Sequence, residues 1–391
     1  MTTTPSAAPS DSPGRKAGWL VLTASERGAS HAAMGSPNQD AVATERAGAD
    51  GVVAAVADGH GHSRHLRSAR GSKLAVRLGC QVAQELADQL EAGAAILAQR
   101  NPPATAAVIA AEVTRQAEEF LVPAIVSRWR EAVLADLKAD PFTQAEQARR
   151  HPGDDATIAY GSTLLVCMVL HDWLMLAQIG DGDAVGVLAD GRAVQPVPAD
   201  PLLDGLVTTS LCGSDPRADF RIAAVDTAQN QLCAVLLATD GYGNAQLVEE
   251  WPKAFSEDLA WMLRERDLNW LASQLPSWAA RCASSDGSAD DTTVALLISP
   301  ASARHPAGSQ GPDAGSGENT IPALPHPETM PVQVQAAHAT TEPTSQPQGR
   351  EPATNKLPKL PAGTEGAGSG QSQDGDEPPP TQWRPPGTGG R

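Results

Sequence analysis

Within "VADGHGHSRH", Val56 to His65, lie three histidines, one aspartate and two glycines, directly after the apolar run "GVVAA". An acid two residues ahead of a histidine on a glycine hinge admits three chemistries: a histidine metal cluster, a sharp structural turn, or a carboxylate metal site with a histidine beside it. The same setting recurs along the chain. Asp181 stands in "IGDG", Asp240 in "ATDG", Asp290 and Asp291 in "SADDTT", and Asp40 in "NQDA". A single Asp-Gly is a favoured turn dipeptide. Its repetition at the ends of apolar stretches carries more. Strands of one sandwich end on a common edge, where their terminal carboxylates converge and repel unless a cation neutralises them. Oxygen donors without paired cysteines suit Mg²⁺ or Mn²⁺ better than zinc. His60, His62 and His65, two and five residues apart, do not define a closed zinc site, which takes four ligands. The expectation is a polar loop beside the carboxylates.

The elements that must hold these residues follow from periodicity. "GWLVLTAS", the residues after "NQD", and "GVVAAVADG" read as three strands. A long helical region follows, with Leu74, Leu78, Val82 and Leu86 at four-residue spacing and a second helix after Asn101-Pro102-Pro103. From Tyr160 the pattern returns to strand, with turns at His171-Asp172, Gly180-Asp181-Gly182 and Asp190-Gly191. "LCAVLLATDG" is a further strand, the stretch from Val248 to Ser285 is helical with a break at Pro276, and "DDTTVALLIS" is the last strand. Segregated runs of strands and helices argue for an α+β fold, with helices packed outside antiparallel sheets.

Composition limits the remaining options. The 391 residues carry a formal charge of −17 and no basic stripe, so nucleic-acid binding is not expected. Apolar runs such as "STLLVCMVL" fall far short of a membrane span. Five unpaired-looking cysteines, Cys80, Cys167, Cys212, Cys233 and Cys282, without a signal peptide suggest reduced thiols and a cytoplasmic location. Residues 1–16 and the Pro/Gly-rich stretch 300–391 read as disordered, leaving 17–299 as one folded domain. Trp251, Trp261, Trp270 and Trp278 read as packing residues on the late helices.

In order and rough spacing, "NQDA", "VADGHGHS", "YGSTLLV", "AQIGDGDAVGV", "LLATDGYGNA" and "DDTTVALL" resemble the signature blocks of the type 2C protein phosphatases. These are metal-dependent serine/threonine phosphatases, and "GASHAAMGSPNQDA" is similar to the variant bacterial branch. The resemblance implies a four-layer αββα sandwich of two antiparallel sheets flanked by helices. It implies two Mg²⁺ or Mn²⁺ ions bridging a water that attacks phosphorus, with a phosphoprotein as substrate and a serine/threonine kinase, or its targets, as the partner. By the same resemblance Asp58, the carbonyl of Gly59, Asp240 and Asp290 are metal ligands, and Asp181 serves a weaker third metal. Asp40 helps hold coordinated water, and His60 protonates the leaving alkoxide.

The chain departs from the family at Gln39, where many relatives carry Glu, and at Asp291, where asparagine is common. It departs again at Asp183, where arginine is common, and at Gly35, where many relatives have a phosphate-gripping arginine. His31, Gln39 and Asp291 are candidates for phosphate contact or for supporting the metals, and Arg64, Arg67 and Arg70 are alternative phosphate grips. These departures leave open a non-catalytic phosphatase fold that binds a phosphoprotein, and a small-molecule phosphohydrolase remains a third reading.

Overall fold

The computed structural model describes residues 18–302 except 49, 98–103 and 203–207. Of the two terminal segments read as disordered, residues 1–16 and 303–391 lie outside the described residues, as does the Asn101-Pro102-Pro103 junction. Two five-stranded antiparallel sheets lie at the centre. The first contains β1 (Leu20–Glu26), β6 (Asp183–Leu188), β7 (Ala193–Val194), β9 (Leu232–Ala238) and β10 (Thr292–Ile298), in the order β1-β10-β9-β6-β7. The second contains β2 (Ala41–Ala47), β3 (Gly51–Ala57), β4 (Leu164–Leu170), β5 (Trp173–Ile179) and β8 (Arg221–Asp226), in the order β2-β3-β4-β5-β8.

Strands β3, β4, β9 and β10 are buried at every one of their residues. An antiparallel sheet usually alternates apolar and polar residues because one face meets water. Here both faces are covered, so alternate residues enter different cores. From β3, Val52, Ala54 and Val56 join Leu165, Leu174, Leu176, Val235, Leu237 and Leu297 between the sheets. Its neighbours Val53, Ala55 and Ala57 pack under α2 (Ser68–Leu97) and α4 (Val122–Ala139). On the far side, Val294, Leu296 and Ile298 of β10 pack under α7 (Trp251–Glu265) and α8 (Leu268–Cys282). The layers are therefore helix, sheet, sheet, helix, as expected.

Two details correct the sequence reading. The late helical region divides at Arg266-Asp267, and Pro276 lies inside α8. Asp267 caps the new helix, its carboxylate accepting from Trp270 N at 2.8 Å. Leu271, Leu275 and Ala279 are buried on both sides of the proline, so packing carries the helix through it. The second correction is β8, for which "RIAAVD" offers no alternating pattern. It forms by pairing with β5 from Gln178↔Arg221 to Trp173↔Asp226. The described residues contain no helix long and apolar enough to cross a membrane, and all five cysteines are free.

Candidate metal centre

Register collects the acidic residues at one edge of the sandwich. Asp58 follows β3, whose last residue Ala57 pairs with Ala41 at the start of β2, immediately after Asp40. Asp181 lies in the β5–β6 turn, and Asp183 at the start of β6 pairs with Ala238 at the end of β9, two residues before Asp240. Val294 of β10 pairs with the same Ala238, so the start of β10, with Asp290 and Asp291 just ahead of it, lies at this edge. Carboxylates from both sheets thus meet across the seam.

They form two groups of candidate ligands. One carboxylate oxygen from each of Asp58, Asp181 and Asp240 lies within 4.8 Å of the others, and the same limit encloses donor atoms of His31, Asp290 and Asp291. The electrostatics reflect the crowding. The pKa of Asp58 is pushed far up, first by burial and then by Asp40, Asp240, Asp290 and Asp181. Burial pushes Asp40 up to about 8, with Asp291 and Asp240 adding to it and hydrogen bonds from Thr239 and Thr293 opposing it. Asp240 rises to about 7 through burial, Asp181 and Asp290. Asp183 rises to about 6 through burial and Asp181.

Hydroxyl groups that the sequence reading did not single out hold the cluster. The Thr239 hydroxyl donates to Asp40 Oδ2 at 2.7 Å, and that of Thr208 donates to Asp181 Oδ2 at 2.6 Å. Asp58 N donates to the Thr163 hydroxyl at 2.9 Å, while Thr163 N returns a bond to the Asp58 carbonyl. Thr239 precedes Asp240 in "ATDG", whereas Thr163 in "STLL" and Thr208 in "VTTS" have no acidic or glycine neighbour to mark them. Gly59 is forced by close approach: a Cβ there would lie 2.7 Å from the carbonyl oxygens of Gln39 and Ser68. Gly180 has φ 100°, a left-handed conformation that disfavours any side chain.

The remaining candidates divide. Asp291, 2% exposed, is a tether: Oδ1 accepts from Gly28 N at 2.7 Å, and Oδ2 accepts from Gln39 N at 2.6 Å and meets His31 Nδ1 at 2.7 Å. Gln39 donates through Nε2 to the Ser68 hydroxyl at 2.8 Å, and its Oε1 is buried without a hydrogen-bond partner. His60 donates its backbone N–H to the Gly161 carbonyl, and its ring lies 4.8 Å from that of His65. Burial and then His65 lower its pKa to about 4. Neither ligand group among the described residues includes His60, His62 or His65. All three alternative phosphate grips have acidic partners elsewhere. Arg67 makes paired bonds to Glu146 at 2.8 and 2.9 Å and also donates to the carbonyls of Asp140 and Pro141. Arg70 pairs with Asp136 and Asp140. Arg64 donates to Asp154 at 3.0 Å.

The donor set fits divalent cations. All three members of the first group offer carboxylate oxygens, and Asp181 Oδ1 is buried without a hydrogen-bond partner. A buried, unsatisfied carboxylate oxygen among other carboxylates is costly unless a cation accepts its charge.

A family model described as "Protein phosphatase 2C" matches residues 27–278. Among solved structures, the serine/threonine phosphatase Stp1 from Staphylococcus aureus shares 15% identity over 74% of this chain and 98% of its own, with a TM-score of 0.45. A bacterial serine phosphatase shares 14% over 72% of this chain and 97% of its own, with a TM-score of 0.45. The catalytic domain of the serine threonine protein phosphatase PstP, in complex with two manganese ions, shares 18% over 72% and 97%, with a TM-score of 0.42. No curated protein matches the chain.

Proposed function

The chain belongs to the protein phosphatase 2C family, and from that premise we propose that it hydrolyses phosphoserine and phosphothreonine esters of proteins with Mg²⁺ or Mn²⁺. The observation that carries this reading is the pair of ligand groups at one sheet edge, Asp58/Asp181/Asp240 and His31/Asp290/Asp291, with Asp290 acting electrostatically on both Asp58 and Asp240. Asp58, Asp181, Asp240 and Asp290 would hold the ions, with the Gly59 carbonyl as a further donor. Divalent cations there would neutralise the phosphate and acidify water for attack on phosphorus.

The chain's own groups do the rest. Asp40, oriented through Oδ2 by Thr239 and pushed up to about 8, can take or hold a proton near neutral pH. His60 is neutral at pH 7 when its pKa is about 4. A phosphate dianion beside it would raise that value, so its proton delivery to the leaving alkoxide belongs to the substrate-bound state. The polypeptide substrate, the role opposite a serine/threonine kinase and a cytoplasmic setting complete the proposal.

The test is phosphopeptide turnover with Mn²⁺. Wild type is expected to release phosphate, and Asp240→Ala to lose on the order of 100-fold in rate. Full activity in both Asp240→Ala and Asp58→Ala would sink the ligand assignment. Tight phosphopeptide binding without turnover would favour the non-catalytic reading, and a preference for phosphorylated metabolites the small-molecule one.

A further inference from the structure

His31 lies on α1 (Ala29–Met34), a single short turn of helix between β1 and β2, and is 9% exposed. Its partner Asp291 has already accepted from two backbone amides, Gly28 N and Gln39 N. A carboxylate in that setting offers no proton, so His31 Nδ1 is the donor in the 2.7 Å contact. In the neutral ring the lone pair then lies on Nε2. That atom meets Asp290 Oδ1 at 3.8 Å, beyond hydrogen-bond length. Two donors that each sit about 2.1 Å from one ion can be up to about 4.2 Å apart, so the gap accommodates a shared cation. Histidines that ligate metals characteristically give their other ring N–H to a carboxylate, which fixes the tautomer and raises the basicity of the ligating nitrogen. The backbone amides that hold Asp291 come from either side of α1, so the same carboxylate anchors the helix and aims the ring.

We propose that His31 is a nitrogen ligand to a divalent cation shared with Asp290, with Asp291 as its positioning residue. The proposal rests on the reading of this edge as a metal centre. It adds a chemical bias: replacing one oxygen donor by imidazole shifts the site away from Mg²⁺ and toward Mn²⁺ and other first-row metals that accept nitrogen.

The measurement is electron spin-echo envelope modulation of the Mn²⁺-loaded full chain, with calorimetric titrations of Mn²⁺ and Mg²⁺ alongside. Wild type should show directly coordinated ¹⁴N. His31→Gln should lose that coupling, weaken Mn²⁺ binding about tenfold and weaken Mg²⁺ binding less. Asp291→Asn should weaken Mn²⁺ binding in the same direction. If His31→Gln does not fold, the His60→Gln/His62→Gln/His65→Gln triple variant decides, because it must keep the nitrogen signal. Tight Mn²⁺ binding without nitrogen coupling, or coupling lost in the triple variant, overturns the role of His31 alone. Absence of tight Mn²⁺ binding in wild type overturns the metal centre and this inference with it.

Discussion

Asp58 leaves β3 with Asp40, Asp181, Asp240 and Asp290 all raising its pKa on top of burial. In the metal-free protein each of these groups destabilises the charged form of its neighbours. Asp58→Asn keeps the shape and removes the cost of holding an acid that must take up a proton to be buried. It is therefore expected to stabilise the metal-free fold by about 1 kcal/mol, or about 2–4 °C in thermal midpoint, while abolishing the stabilisation that Mn²⁺ gives wild type. Thermal melts with EDTA and with Mn²⁺ check both halves. The aspartates were legible in the sequence because Asp-Gly repeats at the ends of apolar runs. The groups that hold them were not. Thr239 reaches Asp40 only because β9 ends at the edge where β2 begins, and Thr208 reaches Asp181 from a loop distant in sequence. The committed state of Arg67 was equally hidden, since its partner Glu146 lies 79 residues away in the polar stretch "FTQAEQARR", which carries no apolar period. Side-chain type was visible; the partner depends on register and loop placement.

Among the elements, strands with continuous apolar runs were readable end to end, and β3, β4, β9 and β10 lie where the sequence places them. Strand β8 was not, because its residues are half-buried throughout and its strand character comes from β5 alongside it. The late helices show local propensity giving way to packing. A proline in a helix interior costs about 3 kcal/mol, yet α8 runs through Pro276 because Leu271, Leu275 and Ala279 lie under the first sheet. Pro276→Ala restores a backbone donor toward the Ala272 carbonyl and loosens the unfolded chain. The net is expected to be a gain of about 1–2 kcal/mol in chemical denaturation, whereas a helix truly broken at this position would gain nothing. The real boundary is marked by the Asp267 cap, which the reading of a break at Pro276 did not take into account.

At the scale of the whole domain, opposite pKa shifts set an unusual pH response. Asp183, Asp240 and Asp40 titrate at about 6, 7 and 8 in the fold against 3.8 unfolded. Their folded values are raised, so the stability they give as neutral acids is full below 3.8 and is lost as pH climbs through 6 to 8. Glu146, drawn down by Arg67 to about 2 from 4.5, works the other way: its contribution is present above 4.5 and fades as pH falls toward 2. The metal-free protein should therefore be most stable near pH 5 and melt lower at pH 8. Saturating Mn²⁺ should reverse that slope between pH 5 and 8, because protons and cations compete for the same carboxylates. Scanning calorimetry at the two pH values, with chelator and with Mn²⁺, reads both slopes.

The candidate ligands straddle the seam between sheets: Asp58 and Asp181 leave strands of the second, while Asp240 and Asp290 flank strands of the first. A chain with only one sheet formed holds at most half of the donors. Cation affinity would then arise late, after the sandwich has closed, and a bound ion would act on the rate of opening rather than of closing. On this geometry the ion is a latch: it does not help the two sheets find each other, but it lengthens the time they stay together.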